Sequence, residues 1–160
     1  MSILLDIGGG ATPLEGAVNL DPIHGTPPFD VRVQDGIPLD DDTVAHVNAS
    51  HVLEHIPAGD ERIRALNEIH RVLVPGGTLR IEVPVIGRHR QLVDAPEAWA
   101  DPTHVSYWWF PDSLSYFCSG GRRADADYGI RYWEPLADED WHVNDWLGVA
   151  TLRKPGPPEV

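Results

Sequence analysis

Apolar residues fall along this chain in short blocks, and the spacing within each block predicts the element it forms. Ile3 to Ile7 is a compact apolar run closed by Gly8-Gly9-Gly10, the pattern of a strand buried on both faces of a parallel sheet and central in it. Val18-Asn19-Leu20 repeats the pattern more briefly and ends at Asp21. Gly8 to Gly16 spans nine residues including Pro13, too few for a crossover helix, so the first connection is predicted as a bare loop. Residues 22–43 are rich in Pro, Gly and Asp, with a short strand expected near Val31 to Gln34. Val44 to Ala49 reads as the next strand and ends at Ser50. Asp60 then offers an N-cap to a helix whose apolar stripe is Ile63, Leu66, Ile69 and Leu73, and Pro75-Gly76-Gly77 stops it. Thr78 to Val83 alternates Leu79, Ile81 and Val83 with polar residues, a strand signal slightly polar for a sheet covered on both sides.

From Pro84 to Asp127 the only periodic feature is a short helix expected after Asp112, carrying Leu114 and Phe117. A segment of this length is seldom without a role, and residues 84–127 are read as a cover over a substrate site. Tyr128 to Glu134 and Trp146 to Arg153 read as closing strands joined by Asp138-Glu139-Asp140, with residues 155–160 as a flexible tail. The elements predict a single domain over residues 1–154, with strands and helical stretches in one α/β unit.

Composition narrows the functions. The formal charge of -13 leaves no broad basic face for nucleic-acid phosphates or anionic lipid, so neither partner is expected. No apolar stretch reaches membrane-span length and the N-terminus shows no leader pattern, so the expected location is the cytoplasm. Cys118 is the only cysteine, which excludes an internal disulfide and a cysteine-ligated metal. Lys154 is the one lysine among twelve basic residues.

The chemistry concentrates in three places. The first is the run Leu4-Leu5-Asp6-Ile7-Gly8-Gly9-Gly10 with Asp21 eleven residues on, where glycines let a ligand approach the backbone and an acid at a strand end suits a ribose diol. The second is Ser50-His51-Val52-Leu53-Glu54-His55, with Arg71-Val72-Leu73-Val74-Pro75-Gly76-Gly77 behind it. Its His51–His55 portion matches the H-x-x-E-H pattern of inverted zinc peptidases. A strand running up to the motif and Pro57 just after it break the helix such a site needs, so no metal is expected. The third is the aromatic stretch Trp99 to Phe117, holding seven of the thirteen aromatics, beside Asp101-Pro102-Thr103-His104 and the basic triplet Arg88-His89-Arg90. Those rings suit a pocket wall, a protein interface or a packed lid. A nicotinamide dinucleotide is disfavoured, because Pro13 stands where its fingerprint wants a third glycine.

In this order the segments resemble the class I S-adenosylmethionine-dependent methyltransferases, in particular the small methyltransferase type 11 group, from about Leu4 to about Phe117. The resemblance implies a Rossmann-like, mostly parallel sheet with a shortened first crossover and an antiparallel C-terminal hairpin at a sheet edge, with Val44 to Ala49 as the family's fourth strand. It implies S-adenosyl-L-methionine as cofactor, held by Asp6, Gly8, Gly9, Gly10, Asp21, Pro22, Ser50, His51 and Leu53. Asp35 or Gln34 would meet the adenine amino group, unless the register puts Arg32 there. His55 and His104 are candidate general bases or packing residues, and Trp108, Trp109, Arg88 and Arg90 candidate substrate contacts. The implied activity is methyl transfer to a small-molecule acceptor. The alternative is a non-catalytic nucleoside-binding or assembly module that self-associates through the aromatic segment.

Overall fold

The computed structural model describes residues 2–88, 91–92, 94–118, 128–136 and 141–156. Four strands run parallel in sequence: β1 (Ile3–Ile7), β2 (Val18–Leu20), β3 (Val44–Ser50) and β4 (Leu73–Arg88). β1 lies between β2 and β3, with Ile7 opposite Leu20 and Ala49, and β3 pairs with β4 from His46 opposite Thr78 to Ser50 opposite Glu82. Leu5, Asp6 and Ile7 are buried in succession, as an inner strand covered on both faces requires. The loop from β1 to β2 contains no helix.

Helix α1 (Asp60–Val72) buries Ala65, Leu66, Ile69 and Val72 and packs against β4. Its N-cap is Gly59 at φ 91°, and no side chain caps it, so Asp60 is the first helical residue and acts through its charge at the positive helix end. The strand expected at Val31 to Gln34 does not form. Val33–Asp35 is a single 3₁₀ turn, and the buried Val33 and Ile37 belong to the core beside α1 and not to a sheet ladder. β3 is therefore the third strand of this chain. Arg71 holds the loop after that turn, donating to the carbonyls of Ile37 and Leu39 and to Glu68 and Asp41.

β4 runs past the expected Val83. Its far end pairs with β5 (Gln91–Leu92) and with β6 (Trp108–Phe110), the latter in parallel, while α2 (Pro96–Ala100) intervenes and α3 (Asp112–Ser115) follows. The aromatic stretch is thus partly an extension of the sheet: Gly87 is glycine because the Trp109 ring lies directly on it. At the other edge β9 (Leu147–Arg153) runs antiparallel to β4, from Leu147 opposite Pro84 to Arg153 opposite Thr78. β9 in turn pairs with β8 (His142–Asn144) and with β7 (Glu134–Pro135). The path among the described residues is β2-β1-β3-β4-β9-β7.

The expected strand Tyr128 to Glu134 shrinks to Glu134–Pro135. Asn67 of α1 donates to the Gly129 carbonyl and accepts from the Arg131 amide, so backbone groups that a ladder would use are bound to a helix side chain. The acidic linker Asp138-Glu139-Asp140, the end of the cover segment at 119–127, and 157–160 of the tail lie outside the described residues.

The two faces of the sheet differ. Val47, Ala49, Leu79 and Ile81 point into the core, while the alternate positions form polar pairs: His46 with Thr78, Asn48 with Asp6, Ser50 with Glu82. The polarity noted in Thr78 to Val83 belongs to this second face, where the β1–β2 loop lies over Asp6.

Candidate functional site

The carboxyl ends of β1 and β2 open onto a cavity of about 560 Å³, within the roughly 300–1,000 Å³ usual for small-molecule sites. Ile7, Gly8, Leu20, Pro22 and Ile23 form one wall, Val31 to Gln34 another, and Val52, His55, Ile56, Pro57 and Glu61 a third, with Thr103 and Val105 at the margin. The lining is mainly apolar with a few polar tips, and it is reached from two strand ends at once.

The glycine loop shows why its residues are small. Gly8 sits at φ 70°, and a Cβ there would lie 2.9 Å from Val52 Cγ2. At Gly9 a Cβ would meet Asp6 Oδ2 at 2.6 Å. Gly8 alone of the three lines the cavity, whereas Gly10 faces a second one of about 540 Å³ shared with His24, Thr26 and Phe29. Asp6 is buried and already bonded, accepting from the Leu14 amide at 2.9 Å and from Asn48 Nδ2 at 2.7 Å, so it supports the loop. Asp21 accepts from the amides of Gly10 (3.1 Å), Ile23 and His24 (both 2.8 Å). Burial pushes its carboxyl up, but the three amides and nearby His24 outweigh that and hold it below the usual range. A carboxylate offers about four lone-pair sites, so one on Oδ2 is left unfilled, although Asp21 lies between Leu20 and Pro22 without itself lining the cavity.

Asp35 is exposed and does not line the cavity, while Arg32 and Gln34 do, Gln34 donating to Glu61 at 3.3 Å. Ser50 donates to Glu82 at 2.7 Å on the polar face. His51 sits at φ 53°, half-exposed, with its ring 6.2 Å from that of Trp146. Leu53 has no exposed surface and belongs to the main core.

Glu54 is the unexpected member. It is 1% exposed, and neither carboxylate oxygen has a hydrogen-bond partner among the described residues. Its surroundings are histidines, with His51 Nδ1 at 3.4 Å and His104 Nε2 at 3.9 Å from Oε1, and the His55 and His104 rings in edge contact at 4.9 Å. Burial raises the Glu54 carboxyl, and the three histidines pull it back only in part. The Asp101-Pro102-Thr103-His104 turn is docked onto this point, because the amides of Val105 and Ser106 both donate to the Glu54 carbonyl.

Trp108 is fully buried, its ring 4.1 Å from the Arg62 guanidinium carbon. Trp109 packs in a separate cluster with Ile86, Ala95, Ala98 and Trp146. Of Arg88 only the backbone is described, opposite Phe110, and Arg90 lies outside the described residues. Sequence reasoning missed Ile56, Pro57, Glu61 and Val105 on the cavity wall; it had Arg32 as the alternative at the adenine position and Thr103 as part of the Asp101-Pro102-Thr103-His104 segment. Ile56 and Pro57 were reachable as the continuation of the His51–His55 motif, whereas Glu61 gave no signal beyond a helix first-turn acid.

Residues 19–81 match the family described as "Methyltransferase domain". Among solved structures, a chain of the complex between the Haloferax volcanii Trm112 methyltransferase activator and the putative methyltransferase is 17% identical with a TM-score of 0.57, covering 96% of this chain and 83% of that one. Burkholderia thailandensis 1,6-didemethyltoxoflavin-N1-methyltransferase, solved with bound 1,6-didemethyltoxoflavin and S-adenosylhomocysteine, is 16% identical with a TM-score of 0.59 (96% and 71% covered). A SAM-dependent methyltransferase from Methanosarcina mazei is 17% identical with a TM-score of 0.61 (96% and 92% covered). A search of curated proteins returns no match. The fold is that of the class I S-adenosylmethionine-dependent methyltransferases. The family match itself covers residues 19–81, less than half of the chain.

Proposed function

We propose that the chain binds S-adenosylmethionine in the 560 Å³ cavity and transfers its methyl group to a small-molecule acceptor. The observation that carries this reading is the convergence of Gly8, Leu20, Pro22 and the Val31–Gln34 turn on one apolar cavity at parallel strand ends, where an open α/β sheet holds a nucleoside. In this reading the adenine lies between Pro22–Ile23 and Val33–Gln34, the ribose hydroxyls reach the free lone pair of Asp21, and the sulfonium end points past Gly8 to His55 and Thr103. Residues 84–127 then act as the acceptor-side cover of a single unit spanning 1–154, contributing Thr103 and Val105 to the wall. Holding donor and acceptor in line supplies most of the catalysis, and His55 at the cavity, when no metal occupies its free ring nitrogen, is the group placed to take a proton.

Calorimetry tests the reading. S-adenosylmethionine and S-adenosylhomocysteine are expected to bind one per chain and raise the melting temperature, with no effect from nicotinamide nucleotides. Stabilisation by a nicotinamide nucleotide alone overturns it.

A second reading, an assembly module on the same fold, draws on one observation. Trp99 and Tyr107, 49% and 45% exposed, face each other at 5.2 Å on the surface. A Trp99→Ser, Tyr107→Ser double variant that keeps full turnover but loses self-association would favour it.

A further inference from the structure

We infer that Glu54, His55 and His104 form a binding site for a divalent transition-metal ion of the zinc class, beside the acceptor end of the cavity. A carboxylate oxygen of Glu54 and one ring nitrogen from each histidine lie within 4.8 Å of one another. Two imidazoles and one carboxylate are a usual ligand set for such ions, leaving positions open for water or an acceptor heteroatom.

Three observations make this more than proximity. The Glu54 carboxylate is 1% exposed and has no hydrogen-bond donor among the described residues, a costly arrangement that a cation would relieve. Both histidines also have their Nδ1 engaged by an acceptor, which leaves Nε2 as the nitrogen available to a metal. His104 Nδ1 lies 3.1 Å from the Ala98 carbonyl, which can only accept, so Nδ1 carries a hydrogen and Nε2 is the nitrogen that faces Glu54. His55 Nδ1 lies 3.1 Å from both the carbonyl and the hydroxyl of Thr103. That hydroxyl spends its hydrogen on Asp101 Oδ1 at 2.6 Å, so both neighbours accept and His55 Nδ1 is the donor. Metal-bound histidines characteristically donate their second ring N–H to a carbonyl or carboxylate in this manner. Asp101, whose Oδ2 is 3.7 Å from His104 Nε2, adds a second negative charge at the rim. Zinc ligands at about 2.0–2.2 Å sit roughly 3.3–3.5 Å apart, so closure asks each side chain to move on the order of 1 Å.

The site differs from the peptidase pattern of the His51–His55 motif. It uses one motif histidine, the intervening glutamate, and a histidine 49 residues further on. It requires nothing of the donor site, so it is tested with the metal alone. Chelator-treated protein is titrated with Zn²⁺ in the absence of S-adenosylmethionine, by calorimetry and by melting temperature, and with Co²⁺ by visible absorption. One ion per chain with a raised melting temperature is expected. Glu54→Gln and His104→Gln, each near-isosteric, should weaken binding at least tenfold, while the exposed His142→Ala binds as the parent does. No stoichiometric uptake, or uptake unchanged in both variants, overturns the inference.

Discussion

At residue scale, the glycine loop and Asp21 form one device: Asn19 Nδ2 donates to the Gly10 carbonyl while Asp21 accepts from the Gly10 amide, so the loop is clamped to β2 from both sides. Asp21→Asn removes the charge that three amides are arranged around, and hydrogen bonds to a charged group are worth about 1.5–3 kcal/mol. A loss of about 1–3 kcal/mol of stability is expected by urea unfolding at pH 7, together with roughly tenfold weaker S-adenosylmethionine binding if the remaining lone pair meets the ribose. The sign of the pH dependence follows from the depressed carboxyl. Its contribution is full above the unfolded value near 3.8 and disappears as pH falls through the lower folded value, so the variant should lose its deficit only in strong acid. Affinity equal to the parent's in a folded variant would leave Asp21 as a loop clamp alone. Gly8→Ala combines a positive φ with a close approach to Val52 and should cost about 1–2 kcal/mol, read from the same unfolding curves.

At the scale of elements, α1 carries a pH sensor outside the cavity. His70 packs edge-on against the buried Trp133 at 5.0 Å, and its Nδ1 has no partner among the described residues. Burial, aided by Lys154 and Arg131, pushes its pKa down to about 4. The unfolded chain protonates this histidine near pH 6.5 and the folded one resists until about pH 4, so stability should fall as pH drops through that window. Discounted for partial exposure, the loss is about 2 kcal/mol, and His70→Phe should flatten the pH profile between those values. The same helix shows what was legible in the sequence. Leu66 and Ile69 of its expected stripe were legible because burial of one face is written directly into residue type, whereas Ile63 is only partly buried and Leu73 already opens β4; β1, β3 and the β9 position were legible for the same reason. The failures came where a single side chain overrides pattern. Asn67 captures the backbone at 129–131 where a strand was expected, and at 31–34 the expected strand gives way to a 3₁₀ turn whose Val33 side chain is drawn into the core beside α1. In the site, the glycines and Asp21 were readable as a motif. The environment of Glu54 was not, because it depends on a turn about 50 residues away folding back onto the Glu54 carbonyl.

At the scale of the whole molecule, charge is the distinguishing property. A formal charge of -13 on 160 residues surrounds a cavity whose own wall carries Glu61 and Arg32 in opposition, so the net field there comes from the rest of the protein. S-adenosylmethionine has a sulfonium and an ammonium against one carboxylate, a net positive charge, whereas S-adenosylhomocysteine lacks the sulfonium and is neutral overall. The field of the protein should therefore draw in the donor and be indifferent to the product, an asymmetry that assists turnover. Because the screening length falls from about 30 Å at 0.01 M salt to about 8 Å at 0.15 M, the attraction is strong only at low ionic strength. Raising salt over that range should weaken S-adenosylmethionine binding several-fold and leave S-adenosylhomocysteine within about twofold. Parallel calorimetric titrations at matched pH decide it. Equal salt dependence for both ligands would show that the net charge does not reach the cavity and that recognition rests on the local contacts of Gly8, Asp21 and the Val31–Gln34 turn.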